Sequence, residues 1–316
     1  MSLNTQMDNQ LRAALIKRES LRKDTDALRL VNSIGDQLEG LVLEQYGKHF
    51  VVQVFNVFWL NEASCLKDFL REHFDVEYYI VKDRTQSASS NPEAIKFQIL
   101  VPGESRTIVH EHNLSFEVDL QDTLNTGLFL DMRSNRWLVA QSCQDKKVLN
   151  GFSYTCSFGV YARAHGARDV VNVDVSKKIL EKGRRNYHLN NLDPQKTEFI
   201  RADAMEYLEV ALKKDNRFDI IILDPPSFAR AEGKVFSIEK NLPRLIELAV
   251  KVLNEKGKLF VSTNFSGITN PKLEGILKAV SGARRPKKIT KLGQDKDFIG
   301  SGQTKESHLA ALWVEY

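Results

Sequence analysis

A Rossmann-like, doubly wound α/β sheet preceded by a small amino-terminal α+β domain is the fold class this 316-residue sequence predicts. Three observations carry the prediction. From Lys146 onward, apolar runs of strand length alternate strictly with runs of helical spacing, the rhythm of a parallel sheet covered on both faces. The strand-like runs stop on polar residues, and in such sheets ligands bind outside the carboxyl ends of the strands. Ahead of Lys146, β-branched runs are separated by the turn chemistry of hairpins instead.

Residues 1–24 read as an extension, with Leu11, Ala14, Leu15 and Leu21 at helical spacing among Arg and Lys over residues 11–23. Residues 25–122 read as the small α+β domain. There "LRLVNSIGDQLEGLVLEQYGKHFVVQVFNV" is strands broken by the turns "GDQLEG" and "YGKH", and "LNEASCLKDFLREHF" has helical spacing. The strand-like "EYYIVK", "KFQILV" and "LSFEVDL" follow, with the polar "RTQSASSNPEA" as a loop. Residues 123–316 hold the alternating part. Its strands are "KVLNGF", "DVVNVDV", "TEFIRAD", "FDIIILD" and "GKLFVST", and its helices are "SFGVYARAHG", "SKKILEKGRRNYHLNN", "AMEYLEVALKK" and "EKNLPRLIELAVKVLN".

Composition excludes more than it selects. Charged residues are 27% of the chain and the net charge is +4, so an acidic partner has to be met by local clusters and not by a global field. Cys65, Cys143 and Cys156 have no metal-ligand spacing and are too few for a disulfide framework, which suggests a reducing compartment and no metal. Apolar runs are too short to span a membrane, and the amino end is too charged for export. The expected location is cytoplasmic, without membrane association, as a monomer or a homodimer.

The strand ends carry the chemistry. Asp174, 23 positions after Gly151, ends the second strand, where a carboxylate can accept both hydroxyls of a ribose or simply cap the next helix. NAD, FAD and S-adenosylmethionine all satisfy the ribose reading. The loop "NGFSYTCSFG" has glycines only at 151 and 159, too few for the G-x-G-x-x-G turn around a pyrophosphate. S-adenosylmethionine has no phosphate, and Ser153, Tyr154 and Thr155 can offer hydroxyls and carbonyls to its methionine part. Asp203 can accept from an adenine amino group, or serve as a plain helix N-cap. Asp224 at the fourth strand end can face the sulfonium region of the cofactor, and Pro225 and Pro226 make a rigid turn after four bulky apolar residues, presenting backbone carbonyls and Phe228 to a planar base or simply terminating the strand.

These residues resemble a family. "VLNGFSYTCSFGVYARAHGARDVVNVDVSKKILEKGRRNYHLNNL", "FIRADAMEYL" and "FDIIILDPPSFAR" look like the cofactor motifs of class I S-adenosylmethionine-dependent methyltransferases, in the bacterial 23S rRNA methyltransferase group. "LNTGLFLDMRSNRWLVAQ" is similar to a segment shared by that group's cytosine-C5 and guanine-N7 branches, and "LRLVNSIGDQLEGLVLEQYG" to the small β-rich domain of the C5 branch. The resemblance implies a seven-stranded sheet whose last two strands form a reversed hairpin, and the cofactor S-adenosyl-L-methionine. It implies a methionine loop at Asn150, Phe152, Ser153, Tyr154 and Thr155, ribose contact at Asp174, and adenine contact at Asp203 with Ala204. It also implies a base platform at Asp224, Pro225, Pro226 and Phe228. Cys156 stands where the family pattern has glycine, and the C5 branch's leading RNA-binding domain has no room in 24 residues. Arg133 and Arg136 fall on one helix face, where either can clamp the methionine carboxylate or an RNA phosphate, or lie solvated.

Methylating cytosine C5 needs a cysteine thiolate added at C6. The C5 branch keeps cysteines after its fifth strand, whereas here Thr263, Asn264 and Phe265 occupy that stretch. That argues against C5, and "FVSTNFSG" resembles the corresponding F-S-N-N-K-R-G stretch of the guanine-N7 branch, with Phe265 and Ser266 in place of Lys-Arg. The resemblance implies a ring or exocyclic nitrogen, guanine N7 foremost, with Asn264 donating to the base or capping the turn. The resemblance makes RNA the expected partner, most specifically 23S rRNA. Arg284, Arg285, Lys287, Lys288 and Lys291 can track phosphates or form a solvated loop. Methylation of tRNA, protein or a small molecule, and a silent cofactor- or RNA-binding module, remain the alternatives. A nicotinamide-linked oxidoreductase is disfavoured by the glycine-poor loop.

Overall fold

The computed structural model describes residues 5–85, 96–122, 125–194, 197–231, 234–300 and 308–316. The expected loop "RTQSASSNPEA" lies almost wholly outside them. The chain divides into two compact units: Met1–Arg133 with Asp295–Thr304, and Ser134–Gln294 with Lys305–Tyr316.

The first unit is built on a five-stranded sheet. Strands β1 (Ala27–Asn32), β2 (Leu41–Tyr46) and β3 (His49–Val54) form an antiparallel meander. Helices α2 (Val57–Asn61) and α3 (Ala63–His73) then carry the chain to β4 (Tyr78–Asp83), parallel to β3, and β5 (Lys96–Val101) closes the order β1-β2-β3-β4-β5. Alternation along each strand sends Leu28, Leu43, Phe50, Val52, Tyr79 and Val81 into one apolar core with Leu11 and Ala14 of α1 (Thr5–Arg18) and Leu66 and Phe69 of α3. The opposite face is polar yet buried, with Arg29 Nη2 on Glu44 Oε1 at 2.7 Å and Thr126 Oγ1 on the Tyr46 hydroxyl at 3.0 Å. A separate ribbon pairs β6 (Arg106–Glu111) with β7 (Leu114–Asp119). Only β7 is legible in the sequence, because the inward positions of "RTIVHE" are Thr107, Val109 and Glu111, with one apolar residue among them.

The second unit opens with α4 (Arg133–Ala140), which begins at the last residue of the first unit. Then β8 (Lys147–Gly151), α5 (Ser157–Ala164), β9 (Asp169–Asp174), α6 (Lys177–Leu189), β10 (Thr197–Arg201), α7 (Ala204–Lys213) and β11 (Phe218–Leu223) alternate as expected. A short ribbon of β12 (Phe228–Ala231) and β13 (Lys234–Ser237) precedes α8 (Ile238–Val252), β14 (Leu253–Thr263), α9 (Asn270–Val280), β15 (Lys288–Leu292) and β16 (Ala310–Glu315). The sheet order is β10-β9-β8-β11-β14-β16-β15, seven strands. Of the final pair only β16 is reversed: it is antiparallel to both β14 and β15, so β15 points with the other five. Leu149, Val171, Ile221, Leu223, Leu259, Val261 and Leu312 pack on α7, α8 and α9 across one face. On the other face the Phe158 ring of α5 meets Phe260 of β14 at 5.1 Å.

Candidate active site

The sheet changes direction between β8 and β11, where the chain winds outward to β9 and β10 on one side and to β14 on the other. That switch point is the crevice in which open α/β sheets take ligands. The expected site residues of the second unit gather on the tips of β8, β9, β11 and β14 and at the start of α7.

The loop after β8 is held in an unusual backbone. Phe152, Tyr154 and Cys156 all sit in the left-handed region, at φ 56°, 48° and 62°. Each such non-glycine residue costs on the order of 1–3 kcal/mol unless its surroundings over-determine it. They do so here. Ser153 N donates to Val173 O at 3.0 Å, Tyr154 N to Asp174 Oδ2 at 3.0 Å, and Cys156 N to Ser153 O at 2.8 Å. Cys156, at the position where the family pattern has glycine, therefore keeps the glycine-like backbone.

Two glycines permit close packing around this loop, Gly159 of α5 against β9 and Gly183 of α6 against the loop itself. A Cβ on Gly159 would stand 2.3 Å from Asn172 Oδ1, and one on Gly183 would stand 2.4 Å from Cys156 Sγ. Gly159 is thus a helix-to-strand packing position and not a phosphate contact.

Asp174 is half-buried at the tip of β9. Its Oδ1 accepts Ser176 N at 2.9 Å and its Oδ2 accepts Tyr154 N at 3.0 Å, one donor on each oxygen. Each oxygen keeps a second lone pair for a diol. Burial pushes its carboxyl above the ordinary aspartate range, against the lowering effect of the two N–H donors. Asp203 caps α7 through Oδ1, which accepts Met205 N at 2.8 Å and Glu206 N at 3.1 Å. Both roles weighed for Asp203 are compatible, since the cap bonds fall on one oxygen and leave Oδ2 available. Ala204, the first residue of α7, is buried beside it.

At β11, Asp224 Oδ1 accepts the Ser262 hydroxyl at 2.7 Å, Pro225 is buried, and Pro226 and Phe228 are exposed. Asn264, after β14, is exposed and accepts the Ser227 hydroxyl on Oδ1 at 2.7 Å. Its side-chain oxygen thus ties the turn after β11 to the loop after β14.

Several residues are used differently from expectation. Asn150 is buried and donates to Asn172 Oδ1 at 2.9 Å, and Asn172 donates to the Tyr187 hydroxyl at 3.2 Å. Ser153 and Thr155 are buried, so their side chains belong to the protein interior, and Thr155 O accepts Asn186 Nδ2 at 3.0 Å. Arg133 is engaged within the first unit, by Asp295 Oδ1 at 2.9 Å, Asp297 Oδ1 at 2.8 Å and Ala27 O at 3.0 Å. A guanidinium already neutralised by two carboxylates has no charge to spare for a cofactor carboxylate. Arg136 is 1% exposed with its guanidinium over the Tyr161 ring, which corrects the solvated-face reading. The basic cluster is also largely committed: Arg284 binds the carbonyls of Val250, Leu253 and Asn254, Lys288 pairs with Glu315, and Lys291 pairs with Glu274.

Ser227, Ser262, Asn172, Asn186 and Tyr187 were missed. The one signal available was Asn172, a lone amide inside the apolar run "VVNVDV".

A fit to S-adenosylmethionine follows from this donor and acceptor set. The paired lone pairs of Asp174 suit a ribose diol, Asp203 Oδ2 suits an amino group, and the tight loop suits a ligand without phosphates.

Comparison with known proteins agrees. The profile of the S-adenosylmethionine-dependent methyltransferases matches residues 80–278. Ribosomal RNA large subunit methyltransferase I of Aeromonas salmonicida is 33% identical over 78% of this chain and 62% of its own length. Ribosomal RNA large subunit methyltransferase K of Neisseria meningitidis is 40% identical over 50% of this chain and 45% of its own. The chain therefore spans less than two thirds of the curated relatives it matches. The solved structure of SMU.776 complexed with S-adenosylhomocysteine superposes with a TM-score of 0.89 at 27% identity, covering 100% of this chain and 83% of that one.

Proposed function

This chain belongs to the S-adenosylmethionine-dependent methyltransferases, and on that premise we propose that it methylates a base of ribosomal RNA at a nitrogen, guanine N7 foremost, and not at cytosine C5. The RNA reading is supported by relatives named as large-subunit ribosomal RNA methyltransferases, and it makes the cytoplasm the working compartment.

The observation that carries the choice of atom is the state of the thiols. Attack on cytosine C6 needs a thiolate beside the base. Cys143 and Cys156 are buried with their thiols pushed up to about 12, and burial raises Cys65 as well. At the end of β14 the side chains are Thr263, Asn264 and Phe265. A nitrogen with its own lone pair needs no such nucleophile, only alignment and donors for its neighbours.

The cofactor, when bound, supplies an electrophilic methyl on a sulfonium. The chain's residues do the rest. Asp174 and Asp203 hold the nucleoside, the 152–156 loop shapes the methionine end, and Pro225 and Pro226 fix the turn that Phe228 follows. Asp224 would set its carboxylate toward the sulfonium of the bound cofactor. The exposed Phe97 ring of edge strand β5 supports an RNA contact by the small amino-terminal domain.

Nucleoside mass spectrometry of ribosomal RNA from a deletion strain tests this reading. One methylated nucleoside should disappear and return when the purified protein and S-adenosylmethionine are added. Restoration of 5-methylcytidine, or of nothing, would overturn it.

A further inference from the structure

The geometry points to Ser227 as a positioning residue that turns the Asn264 amide, so that its Nδ2 faces the target base as a hydrogen-bond donor for an acceptor edge. The inference rests on the reading that the substrate is a base in RNA, and adds which edge is read and by what.

Ser227 Oγ and Asn264 Oδ1 are 2.7 Å apart. An amide oxygen has no proton, so the hydroxyl must supply the one between them. With Oδ1 held by Ser227, the two N–H bonds of Nδ2 project the other way, and no described residue accepts them. Free in solution an Asn amide offers a donor and an acceptor to any neighbour, because rotation about its last bond exchanges them. A hydroxyl can hold either end of an amide, and in this structure Ser227 holds Oδ1.

The location gives this meaning. β11 and β14 are adjacent and parallel, with Leu223 opposite Val261. Ser262 of β14 reaches across to Asp224 of the β11 turn, while Ser227 of that turn reaches back to Asn264 beyond β14. Two crossed serine bonds thus orient the two polar groups on these neighbouring tips, one carboxylate and one amide. An outward donor selects a base that shows acceptors. Guanine carries both N7 and O6 as acceptors on one edge, whereas adenine and cytosine place an amino group next to theirs. The opposite amide orientation would select the amino-bearing bases.

The test is a double-mutant cycle on methyl transfer from radiolabelled S-adenosylmethionine to large-subunit ribosomal RNA of the deletion strain. Asn264→Ala should lower kcat about 100-fold, as loss of an aligned donor does, and Ser227→Ala about tenfold, both with the KM for S-adenosylmethionine unchanged. Ser227→Thr should restore the rate. In the Asn264→Ala background, Ser227→Ala should cost nothing more, which a merely structural serine would not show. Additive losses, a fully active Asn264→Asp variant, or a methyl group found on an exocyclic amine would overturn the proposal. A wild-type protein that modifies no ribosomal RNA would instead remove the reading beneath it, and the edge assignment with it.

Discussion

Tyr154 and Asp174, twenty positions apart, are joined by a 3.0 Å bond from a backbone N–H to a carboxylate oxygen, and through it the loop after β8 and the proposed ribose acceptor at the tip of β9 become one unit. Removing the carboxylate frees the loop's left-handed Tyr154 and deletes both acceptor oxygens at once. Asp174→Ala is therefore expected to weaken S-adenosylhomocysteine binding by about 2–3 kcal/mol, the worth of hydrogen bonds to a charged group. Calorimetric titration reads this directly, and an unchanged affinity would displace the ribose from this strand tip.

The same residue predicts a pH dependence. Because burial holds the Asp174 carboxyl above its unfolded value, its contribution to stability is complete below the unfolded value and is lost as pH rises through the folded one. Diol donors need the ionised form, so cofactor affinity moves the other way and should fall as pH drops through the raised value. Asp174→Asn, which cannot titrate, should bind weakly at every pH and flatten the acid limb.

Asp224 should separate chemistry from cofactor binding. Its Oδ1 is fixed by the Ser262 hydroxyl at 2.7 Å, within the turn that Pro225 and Pro226 stiffen. Asp224→Ala is expected to reduce kcat at least about 100-fold with cofactor affinity nearly intact, and Ser262→Ala to reduce it about tenfold by releasing the carboxylate. Single-turnover transfer beside equilibrium binding distinguishes the two parameters. Equal losses in both would place Asp224 in the cofactor site instead.

What could be read from the chain alone was whatever depends on local pattern. Asp174, Asp203 and Asp224 stood out because each acid ends an apolar run at a βα junction. Partnerships across long stretches of chain were invisible. Arg133 finds Asp295 and Asp297 more than 160 positions downstream, and nothing near "LDMRSNRW" announces two buried aspartates. Arg284 likewise looked like part of a phosphate-tracking cluster, because the carbonyls it caps have no sequence signature. The β12–β13 ribbon escaped for a different reason: four-residue strands are too short for a period to register.

Arg284 accordingly predicts a loss of stability and not of RNA affinity. Its guanidinium binds Val250 O, in the last turn of α8, at 2.9 Å and Leu253 O, at the start of β14, at 2.8 Å, and lies over the Tyr316 ring. Arg284→Ala should cost about 2–3 kcal/mol in denaturant unfolding by leaving those acceptors unmet. The salt dependence of RNA binding should keep its slope, since no phosphate contact is removed. A shallower slope would return this arginine to the RNA-binding surface.

The cysteines decide between carbon and nitrogen chemistry most sharply. A C5 mechanism needs a covalent bond from sulfur to the base, so it cannot survive without thiols, whereas transfer to a nitrogen lone pair is indifferent to them. Burial raises all three thiols above the ordinary range, with Cys156 inside the loop after β8 against Gly183 and Cys143 bonded to Val139 O at 3.4 Å. Replacing Cys65, Cys143 and Cys156 together by alanine should lower stability by about 1–3 kcal/mol through lost packing. It should leave kcat unchanged once measured on folded protein at reduced temperature. Covalent trapping with RNA carrying 5-fluorocytidine should yield no protein–RNA adduct in the wild type. An adduct that disappears in any one of the single alanine variants would identify a nucleophile and reverse the assignment to nitrogen.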